Sequence, residues 1–286
     1  MIPDESQILE IVDFALKEDL GDGDHTSLAT IPAEATGQAQ LIVKGEGVLA
    51  GIELAKLIFK RVDRKLDMNI LISDGEHVKP GDIAFHVEGP SRSILSAERL
   101  VLNFMQRMSG IATKTNHLAS LISDLPTELI DTRKTTPCVR LMEKWAVRIG
   151  GGQNHRFALY DMIMIKDNHV DYAGGIRNAI LRTNKYLREN NKDLRIEVET
   201  RNLDEVKEVL EVGDVDRIML DNFTPDEIYD AMKLIDRHQF ETEASGGITE
   251  KTIRKYAETG VDYISSGALT HSYQSIDMSL KAEFKV

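Results

Sequence analysis

Basic side chains concentrate in residues 131–170, although the whole chain has a net charge of -12. This segment holds seven Lys and Arg residues against four Asp and Glu residues, and it adds His155 and His169. Its polar residues form three clumps, DTRKTT, GGGQNHR and KDNH, instead of recurring every three or four residues as on a solvated helix face. Such clumps are typical of loops that converge on a ligand. A cationic cluster in an acidic chain predicts a small anionic ligand that is bound locally.

Polar or glycine residues also follow six apolar runs that read as successive β-strands. Functional groups of a parallel barrel come from the carboxyl ends of its strands, where these residues fall. One polar residue at a strand end is usually an ordinary loop residue, but six successive ends of this kind are hard to assign to chance. The candidates are Arg133, Lys134, Lys166, Glu199, Asp221, Ser245, Gly246, Gly247, Ser266 and Gly267.

Glu199 and Asp221 end successive predicted strands and face the same end of the sheet. Carboxylates beside a phosphate site commonly hold Mg²⁺, which keeps several waters and bridges substrate phosphates. The spacing equally allows a surface pair, or two partners for Lys166. Glu197 lies two residues from Glu199 and shares its face, so it stays open as an alternative.

Two segments near the end of the chain, SGGI and SSGALTHS, are rich in Gly and Ser. The first precedes a helix predicted at residues 249–259. Main-chain N–H groups and helix N-termini bind anions, and barrels often place a phosphate in the loops after their final strands. Ordinary turn chemistry explains either segment alone equally well.

His155 and Arg156 form an adjacent donor pair that suits a carboxylate, because the planar guanidinium group matches two carboxylate oxygens. A zinc site is disfavoured, since Cys138 is the single cysteine and no residues have zinc-ligand spacing. Arg107 lies in a predicted helix and, from the residues alone, reads as a solvated side chain.

Composition excludes several other classes of protein. A charged fraction of 29% and a net charge of -12 disfavour a nucleic-acid-binding protein, which usually has a basic face. The acidic N-terminus is not a signal peptide, and no apolar run reaches the roughly 18–20 residues that span a bilayer. A soluble, cytoplasmic protein is predicted. The sequence contains no P-loop, dinucleotide-binding glycine pattern or nucleophile elbow.

The order of elements predicts a small α+β region followed by an α/β barrel. Residues 94–123 predict one or two long helices that Gly110 breaks or kinks, and the domain boundary is expected there. About six strand–helix units follow, fewer than the eight of a full barrel, so an open or irregular barrel is expected. One of its helices is predicted at residues 137–149, with Pro137 in the first turn.

The motifs DTRKTTP, EKWAVRIGGGQNHR and IKDNH make this sequence resemble the quinolinate phosphoribosyltransferase family. The likeness continues through EDLGDGDHTS, ERLVLNFMQRMSGIAT, IEVET, IMLDN, SGGI and SSGALTHS, and therefore covers nearly the whole chain. It implies a type II phosphoribosyltransferase-like α/β fold. The implied domains are an N-terminal α/β sandwich of residues 1–113 with 274–286, and an incomplete, open α/β barrel of about seven strands in residues 114–273. Cys138 is a departure, because the family most often has glycine there.

The resemblance also implies an activity. The family transfers phosphoribosyl from phosphoribosyl pyrophosphate to quinolinate with Mg²⁺, and it releases CO₂ and pyrophosphate. The product is nicotinate mononucleotide, a precursor in NAD biosynthesis. The family assembles as a homodimer or a higher homo-oligomer, in which Arg107 reaches into the active site of the neighbouring subunit.

The resemblance assigns roles to residues of three kinds. The implied quinolinate-binding residues are Arg107, Arg133, Lys134, His155, Arg156 and Lys166. The implied residues for phosphoribosyl pyrophosphate are Lys134, Lys166, Glu199, Asp221, Ser245, Gly246, Gly247, Ser266 and Gly267. The implied catalytic residues are Lys134, Lys166, Glu199 and Asp221, of which Glu199 and Asp221 are also the implied metal ligands.

Two other functions stay open at this point. One is a paralogous pyrophosphorylase that acts on another acceptor, such as the one associated with molybdate transport genes. The other is a phosphosugar-binding barrel without catalysis, which gives no reason for a cationic acceptor cluster beside two strand-end carboxylates.

Overall fold

The computed structural model describes residues 3–283, and the chain divides into two compact units. The first unit comprises Met1–Asn116, Lys134–Gly151 and Ala268–Val286, and the second comprises His117–Arg133 and Gly152–Gly267. Residues 1, 2 and 284–286 of the predicted N-terminal domain lie outside the described residues.

Helices and strands alternate along the chain, and both are numbered here in chain order. The helices are α1 (Glu5–Leu20), α2 (His25–Thr30), α3 (Ile52–Val62), α4 (Ser91–Ser120), α5 (Arg140–Ile149), α6 (Asp167–Ala173), α7 (Ile176–Glu189), α8 (Leu203–Val212), α9 (Pro225–Leu234), α10 (Ile253–Ala257) and α11 (Ala268–His271). The strands are β1 (Thr36–Val43), β2 (Gly47–Val48), β3 (Asp67–Ile70), β4 (His77–Val78), β5 (Ile83–Pro90), β6 (Glu128–Ile130), β7 (Ile163–Ile165), β8 (Ile196–Thr200), β9 (Arg217–Asp221), β10 (Glu241–Ser245), β11 (Tyr263–Ser265) and β12 (Met278–Glu283). Among the residues from 3 to 283, no helix is both long and apolar enough to cross a membrane.

The first unit contains a four-stranded sheet in the order β12–β1–β5–β3, in which all neighbours are antiparallel. Apolar residues alternate along its strands, so that Leu41 lies opposite both Phe85 and Leu280 on one face. Phe85 packs edge-on against Phe59 of α3, with 5.8 Å between the ring centroids. This sheet and helix form the α/β layers expected for the N-terminal domain.

Helix α4 runs without interruption through Gly110, so one long helix is confirmed and a break at this residue is wrong. A Cβ atom at position 110 would lie 2.4 Å from the main-chain oxygen of Gln274. Glycine is therefore required here because another segment of the first unit packs directly against the helix.

The second unit contains a six-stranded parallel sheet in the order β6–β11–β10–β9–β8–β7. Its edges are β6 and β7, and Gln153 adds one parallel bridge beside Ile130 of β6. Helices connect successive strands, as in other α/β folds. The open α/β barrel is confirmed, with six strands and one further bridge where about seven strands are implied by the resemblance.

Two predicted helix starts are wrong. The helix predicted from residue 137 begins at Arg140, because Cys138 has a φ of 67° and cannot lie in a right-handed helix. The helix predicted at residues 249–259 is the short α10, which begins only at Ile253 after a turn. The SGGI segment therefore does not run directly into a helix N-terminus.

Candidate active site

One face of the parallel sheet carries charged residues at alternate positions of three neighbouring strands. Glu197, Arg217 and Glu241 lie side by side in register on β8, β9 and β10. Glu199 and Glu243 lie two residues further along their strands, and so on the same face. The residues between them are mostly apolar and buried on the opposite face. Barrels usually fill their interior with branched apolar side chains, so the charge on this face indicates a site rather than a core.

Lys166 and Glu199 form an ion pair at the carboxyl end of the sheet. Lys166 immediately follows β7, and its Nζ donates to Oε2 of Glu199 over 2.9 Å. The Glu199 side chain is 9% exposed, whereas that of Lys166 is 44% exposed. Glu199 is therefore a partner of Lys166, one of the alternatives that the sequence left open. The ammonium group of Lys166 stays accessible to an anion.

Asp221 ends β9 on the same face as Glu199, and its orientation is set by the next residue. Nδ2 of Asn222 donates to Oδ2 of Asp221 over 2.6 Å, and the main-chain nitrogen of Asn222 donates to the oxygen of Ser245 over 2.8 Å. A Cβ atom at Gly246 would lie 2.2 Å from Oδ1 of Asn222, so no side chain fits there. The ends of β9 and β10 are thus locked together.

The loop after β10 has the main-chain form of an anion site. Gly246 and Gly247 both have positive φ, 92° and 62°. Consecutive residues in such turn conformations direct their N–H groups into a concavity that suits an anion. After β11, by contrast, the N–H of Ser266 donates to the oxygen of Ile130 over 3.0 Å and is part of the sheet. The second Gly/Ser segment therefore offers fewer main-chain donors than the sequence suggests.

A buried carboxylate at the end of β6 holds the GGQNHR segment. Asp131 is fully buried and accepts from the main-chain nitrogen of His155 over 2.9 Å and from Nδ2 of Asn154 over 2.6 Å. This contact fixes the start of the residue pair His155–Arg156 relative to the sheet.

Arg133 and Arg156 come close enough for their charges to interact. Burial first, and then the positive charge of Arg133, lower the pKa of Arg156. Nη1 of Arg156 donates to the main-chain oxygen of Met162 over 3.1 Å, which anchors the guanidinium group. Two like charges held near each other favour binding of an anion, so the structure brings together part of the predicted cationic cluster.

His155 points into the charged face of the sheet. Its Nε2 lies 2.8 Å from Oε2 of Glu197 and 3.3 Å from Oε2 of Glu243. Nη1 of Arg217 lies 3.1 Å from the same oxygen of Glu243. The exposed fractions of the His155, Glu197, Glu243 and Arg217 side chains are 4%, 0%, 0% and 8%. We call these four residues the buried quartet.

Two observations on the buried quartet indicate different protonation states of the His155 imidazole. Burial opposes the charged ring, but Glu197 and Glu243 outweigh it and raise the pKa of His155 to about 9. The main-chain nitrogen of Arg156, however, donates to Nδ1 over 2.6 Å, and an accepting Nδ1 belongs to a neutral ring. Both observations require a proton on Nε2. Burial and the charge of Glu243 also raise the pKa of Glu197 to about 7.

Two groups of residues have ligand types that suit a metal. Glu199 and Asp221 offer carboxylate oxygens on one face of neighbouring strands, the donor set that Mg²⁺ shares with substrate phosphates. Ligand atoms of His155, Glu197 and Glu243 lie within 4.8 Å of one another. Arg217 already balances charge in this second group, and Nε2 of His155 faces both carboxylates, so the first group fits a metal better.

Lys134 and Arg107 belong to the first unit. The main-chain oxygen of Lys134 accepts from Oγ1 of Thr270 over 2.9 Å. Nε of Arg107 donates over 2.9 Å to the fully buried Glu143, and its guanidinium group lies 5.2 Å from the Tyr273 ring centroid. The sequence suggested a solvated Arg107, but the side chain is only 28% exposed because these contacts hold it.

Sequence reasoning missed several residues that organise this site. They are Asp131, Glu143, Arg217, Asn222 and Glu243. A signal for two of them was present: RIMLD and ETEAS place charges at alternate positions of strands that should be buried on both sides. Asp131 and Asn222 gave no such signal, because their role depends on contacts with segments far along the chain or with a left-handed main chain.

Comparison with known proteins agrees with this geometry. The chain matches the quinolinate phosphoribosyl transferase N-terminal domain over residues 24–109 and the corresponding C-terminal domain over residues 111–281. It is 49% identical to a chloroplastic nicotinate-nucleotide pyrophosphorylase [carboxylating] of Oryza sativa subsp. japonica, with 96% of this chain and 77% of that protein covered. It is 40% identical to a probable carboxylating enzyme of the same name from Bacillus subtilis, with 96% and 93% covered.

Solved structures agree at the level of the whole chain. NadC from Streptococcus pyogenes superposes with a TM-score of 0.90 at 38% identity, covering 97% of this chain and 96% of that one. The paired strand-end residues, the glycine loop and both domain matches point the same way. The chain belongs to the quinolinate phosphoribosyltransferase family.

Proposed function

We propose that this protein transfers the phosphoribosyl group of phosphoribosyl pyrophosphate to quinolinate and decarboxylates the product to nicotinate mononucleotide. The observation that carries the proposal is the charged end of the parallel sheet. There, the Lys166–Glu199 pair and Asp221 lie on one face, and Arg133 lies near Arg156. Family membership supplies the identity of the two substrates.

The reaction needs little proton transfer from the protein. The pyridine nitrogen attacks the anomeric carbon of the ribose, and the bond from that carbon to the pyrophosphate oxygen breaks with its electrons. The ring nitrogen becomes cationic and accepts electron density as the neighbouring carboxylate leaves as CO₂. A proton then binds to the ring carbon that the carboxylate has left. Catalysis of this kind depends on positioning and on preorganised charge.

The acceptor is bound by the cationic cluster. Arg133 and Arg156 suit the two carboxylates of quinolinate, because each guanidinium group can hold two oxygens. Lys166 is partly exposed and has its ammonium group between Glu199 and solvent, so it is placed to bind an anionic substrate. Lys134 follows Arg133 directly in the chain, and we assign it to the same substrates.

Mg²⁺ is proposed as the cofactor, with Glu199 and Asp221 as the residues that would hold it. When bound, the ion neutralises charge on the departing pyrophosphate. Asn222 donates to Oδ2 of Asp221 and so fixes the orientation of this carboxylate. The Gly246–Gly247 turn would bind the 5-phosphate through its main-chain N–H groups, with Ser245, Ser266 and Gly267 beside it.

A homodimer with Arg107 in the neighbouring active site is also proposed. In the single chain, Arg107 is held by Glu143, so this role requires either a change of partner or a site formed around the existing pair. Mixing Arg107→Ala with Lys134→Ala subunits tests it, because hybrid dimers should regain part of the activity. No recovery after demonstrated subunit exchange would count against a shared site.

A cytoplasmic location is a separate proposal. The rice relative is chloroplastic by name, so membership of the family does not fix a compartment. Fractionation of the source cells, followed by detection of this protein, would test it.

The central experiment uses the purified protein with quinolinate, phosphoribosyl pyrophosphate and Mg²⁺. We expect nicotinate mononucleotide and CO₂ in equal amounts, and loss of activity with a chelator that Mg²⁺ restores. Turnover without CO₂ release, or a preference for nicotinate as the acceptor, would reject the proposal in favour of a paralogous pyrophosphorylase. Binding of both substrates without turnover would indicate a phosphosugar-binding protein.

A further inference from the structure

The proposed reaction gives catalytic or binding roles to residues at the strand ends. It gives no such role to Glu197, Glu243 or Arg217 of the buried quartet. Glu197 and Glu243 are both fully buried, although burial of a carboxylate costs free energy unless it is paired. Replacing such ion pairs with apolar residues is often neutral or stabilising in proteins. Stability alone therefore does not explain why four ionisable side chains occupy the interior of this sheet.

Three nitrogen atoms of His155 lie against groups of the second unit. The main-chain nitrogen donates to Asp131, Nδ1 accepts from the main-chain nitrogen of Arg156, and Nε2 faces Glu197 and Glu243. The side chain is 4% exposed. Its ring thus links the buried carboxylates to the main chain of the residue that follows.

That next residue is Arg156, which the proposed function places on a carboxylate of quinolinate. Its guanidinium group is anchored at one end by Met162, and its main chain is anchored by the His155 ring. A long side chain delivers its charge accurately only where its main chain is fixed, and a loss of support by about 1 Å can lower activity severely.

We propose that Glu197, Glu243 and Arg217 are positioning residues that orient the His155 imidazole and, through it, Arg156 in the quinolinate site. Nε2 lies within ion-pair distance of Glu197 and Glu243, at 2.8 Å and 3.3 Å, and Arg217 holds Glu243 in place. His155 then acts through Arg156 rather than as a direct ligand of quinolinate. The inference rests on the proposed function and adds residues to it that the resemblance does not assign.

The test is a double-mutant cycle between His155→Ala and Glu197→Met, a pair in direct contact. Methionine preserves the length of the side chain and removes the acceptor. We expect each single variant to raise the KM for quinolinate about tenfold, within the coupling range of contacting residues. Because both act on one link, the double variant should also show about a tenfold rise rather than about a hundredfold rise. The kcat and the KM for phosphoribosyl pyrophosphate should stay within about twofold.

Two further variants separate positioning from general damage. Glu197→Gln keeps an acceptor oxygen for Nε2 and should restore most of the quinolinate affinity. Thr242→Val, a fully buried change next to Glu243 on the opposite face of β10, should leave the quinolinate KM unchanged. Should Glu197→Met not fold, the same cycle with Glu243→Gln is run, and its expected effect is smaller because Nε2 keeps Glu197.

Independent, multiplying effects in the cycle would overturn the proposal. So would an equal rise in both KM values, or a glutamine variant as impaired as the methionine variant. Direct binding of quinolinate, measured by calorimetry on the same proteins, keeps this result distinct from the proposed function. Wild-type protein that binds quinolinate but forms no nicotinate mononucleotide would reject the reaction, while the binding cycle would still decide the positioning role.

Discussion

The two sheets of this protein use their buried faces in opposite ways. In the antiparallel sheet, Leu41, Phe85 and Leu280 form an apolar row that packs towards α3, and the other face is polar. In the parallel sheet, the outer face is apolar and the inner face carries charges such as Glu197 and Arg217. Burying an apolar row stabilises a fold directly, whereas burying charge costs free energy unless every group is paired. The charged inner face of the parallel sheet is therefore where we propose the functional site.

One ion pair from each sheet makes the contrast concrete. His86 and Glu283 lie 3.2 Å apart on the polar face of the antiparallel sheet, with side chains 22% and 29% exposed. Arg217 and Glu243 lie 3.1 Å apart with side chains 8% and 0% exposed. Exposed pairs contribute little to stability, but a buried pair that loses one partner leaves an uncompensated charge. The same interaction is therefore optional in one sheet and obligatory in the other.

The largest expected effect follows from removing Arg217. Arg217→Met removes the guanidinium partner of the buried Glu243 and should lower the free energy of unfolding by about 3–5 kcal/mol, measured by urea denaturation. Arg195→Met is the matched control, because Arg195 also binds Glu241 but is 47% exposed. That variant should cost less than about 1 kcal/mol. Equal losses in the two variants would contradict the distinction between buried and exposed ion pairs.

A double variant tests whether the Arg217–Glu243 pair serves binding as well as stability. Arg217→Met combined with Glu243→Leu removes both charges and should recover most of the stability. The quinolinate KM should not recover, because Glu243 no longer faces Nε2 of His155. Recovery of both properties would mean that the inner charges serve neither binding nor positioning.

The next effect concerns activity rather than stability. Lys166→Ala removes the exposed cation at the end of the inner face and should lower kcat/KM about 10²–10³-fold, as for other preorganised charges at a reacting centre. Lys281→Ala, on the exposed part of β12, is the control and should leave kcat/KM unchanged. A Lys166 variant that unfolds more easily yet keeps its kcat/KM would assign this lysine to structure instead.

Much of this architecture could be predicted from the sequence, because it depends on patterns within short segments of the chain. Strands such as IEVET and RIMLD are short segments with β-branched or apolar residues bounded by turns, and their order along the chain predicts a parallel sheet. Strand order also placed Glu199 and Asp221 at one end of the sheet, since parallel strands all end on the same side. These features need only the residue pattern.

The remaining features depend on contacts that no local pattern contains. Gly110 looked like a helix break, but it is a packing contact with Gln274. Pro137 looked like the first turn of a helix, but the left-handed main chain at Cys138 delays the helix to Arg140. No sequence pattern indicated that Nε2 of His155 faces Glu197 and Glu243, because these two residues come from two other strands.

A smaller loss of stability is expected from the apolar sheet face. Leu41→Ala should lower the free energy of unfolding by about 3 kcal/mol, since the side chain is fully buried and a cavity remains. The activity of each folded molecule should stay within about twofold, because no catalytic charge is altered. Gln40→Ala, the preceding residue on the opposite face of β1, is the control for stability. A loss of kcat/KM in Leu41→Ala at full folding would show that the two sheets are not separable in function.

The smallest expected effect on stability comes from the main-chain conformation of Cys138, which lies outside both sheets. Cys138 is exposed and has a φ of 67°, a conformation that costs a residue with a Cβ atom about 1–2 kcal/mol. Glycine removes that cost but gains freedom in the unfolded chain worth about 0.5–1 kcal/mol. Cys138→Gly should therefore raise the free energy of unfolding by up to about 1 kcal/mol. Asn191→Gly is the control, because Asn191 has a φ of 48° but asparagine adopts this conformation readily. Thermal unfolding of both variants separates backbone strain from the added freedom of the unfolded chain. A higher stability of Cys138→Gly alone would measure the strain at Cys138. Equal losses of stability in both variants would show that Cys138 is not strained.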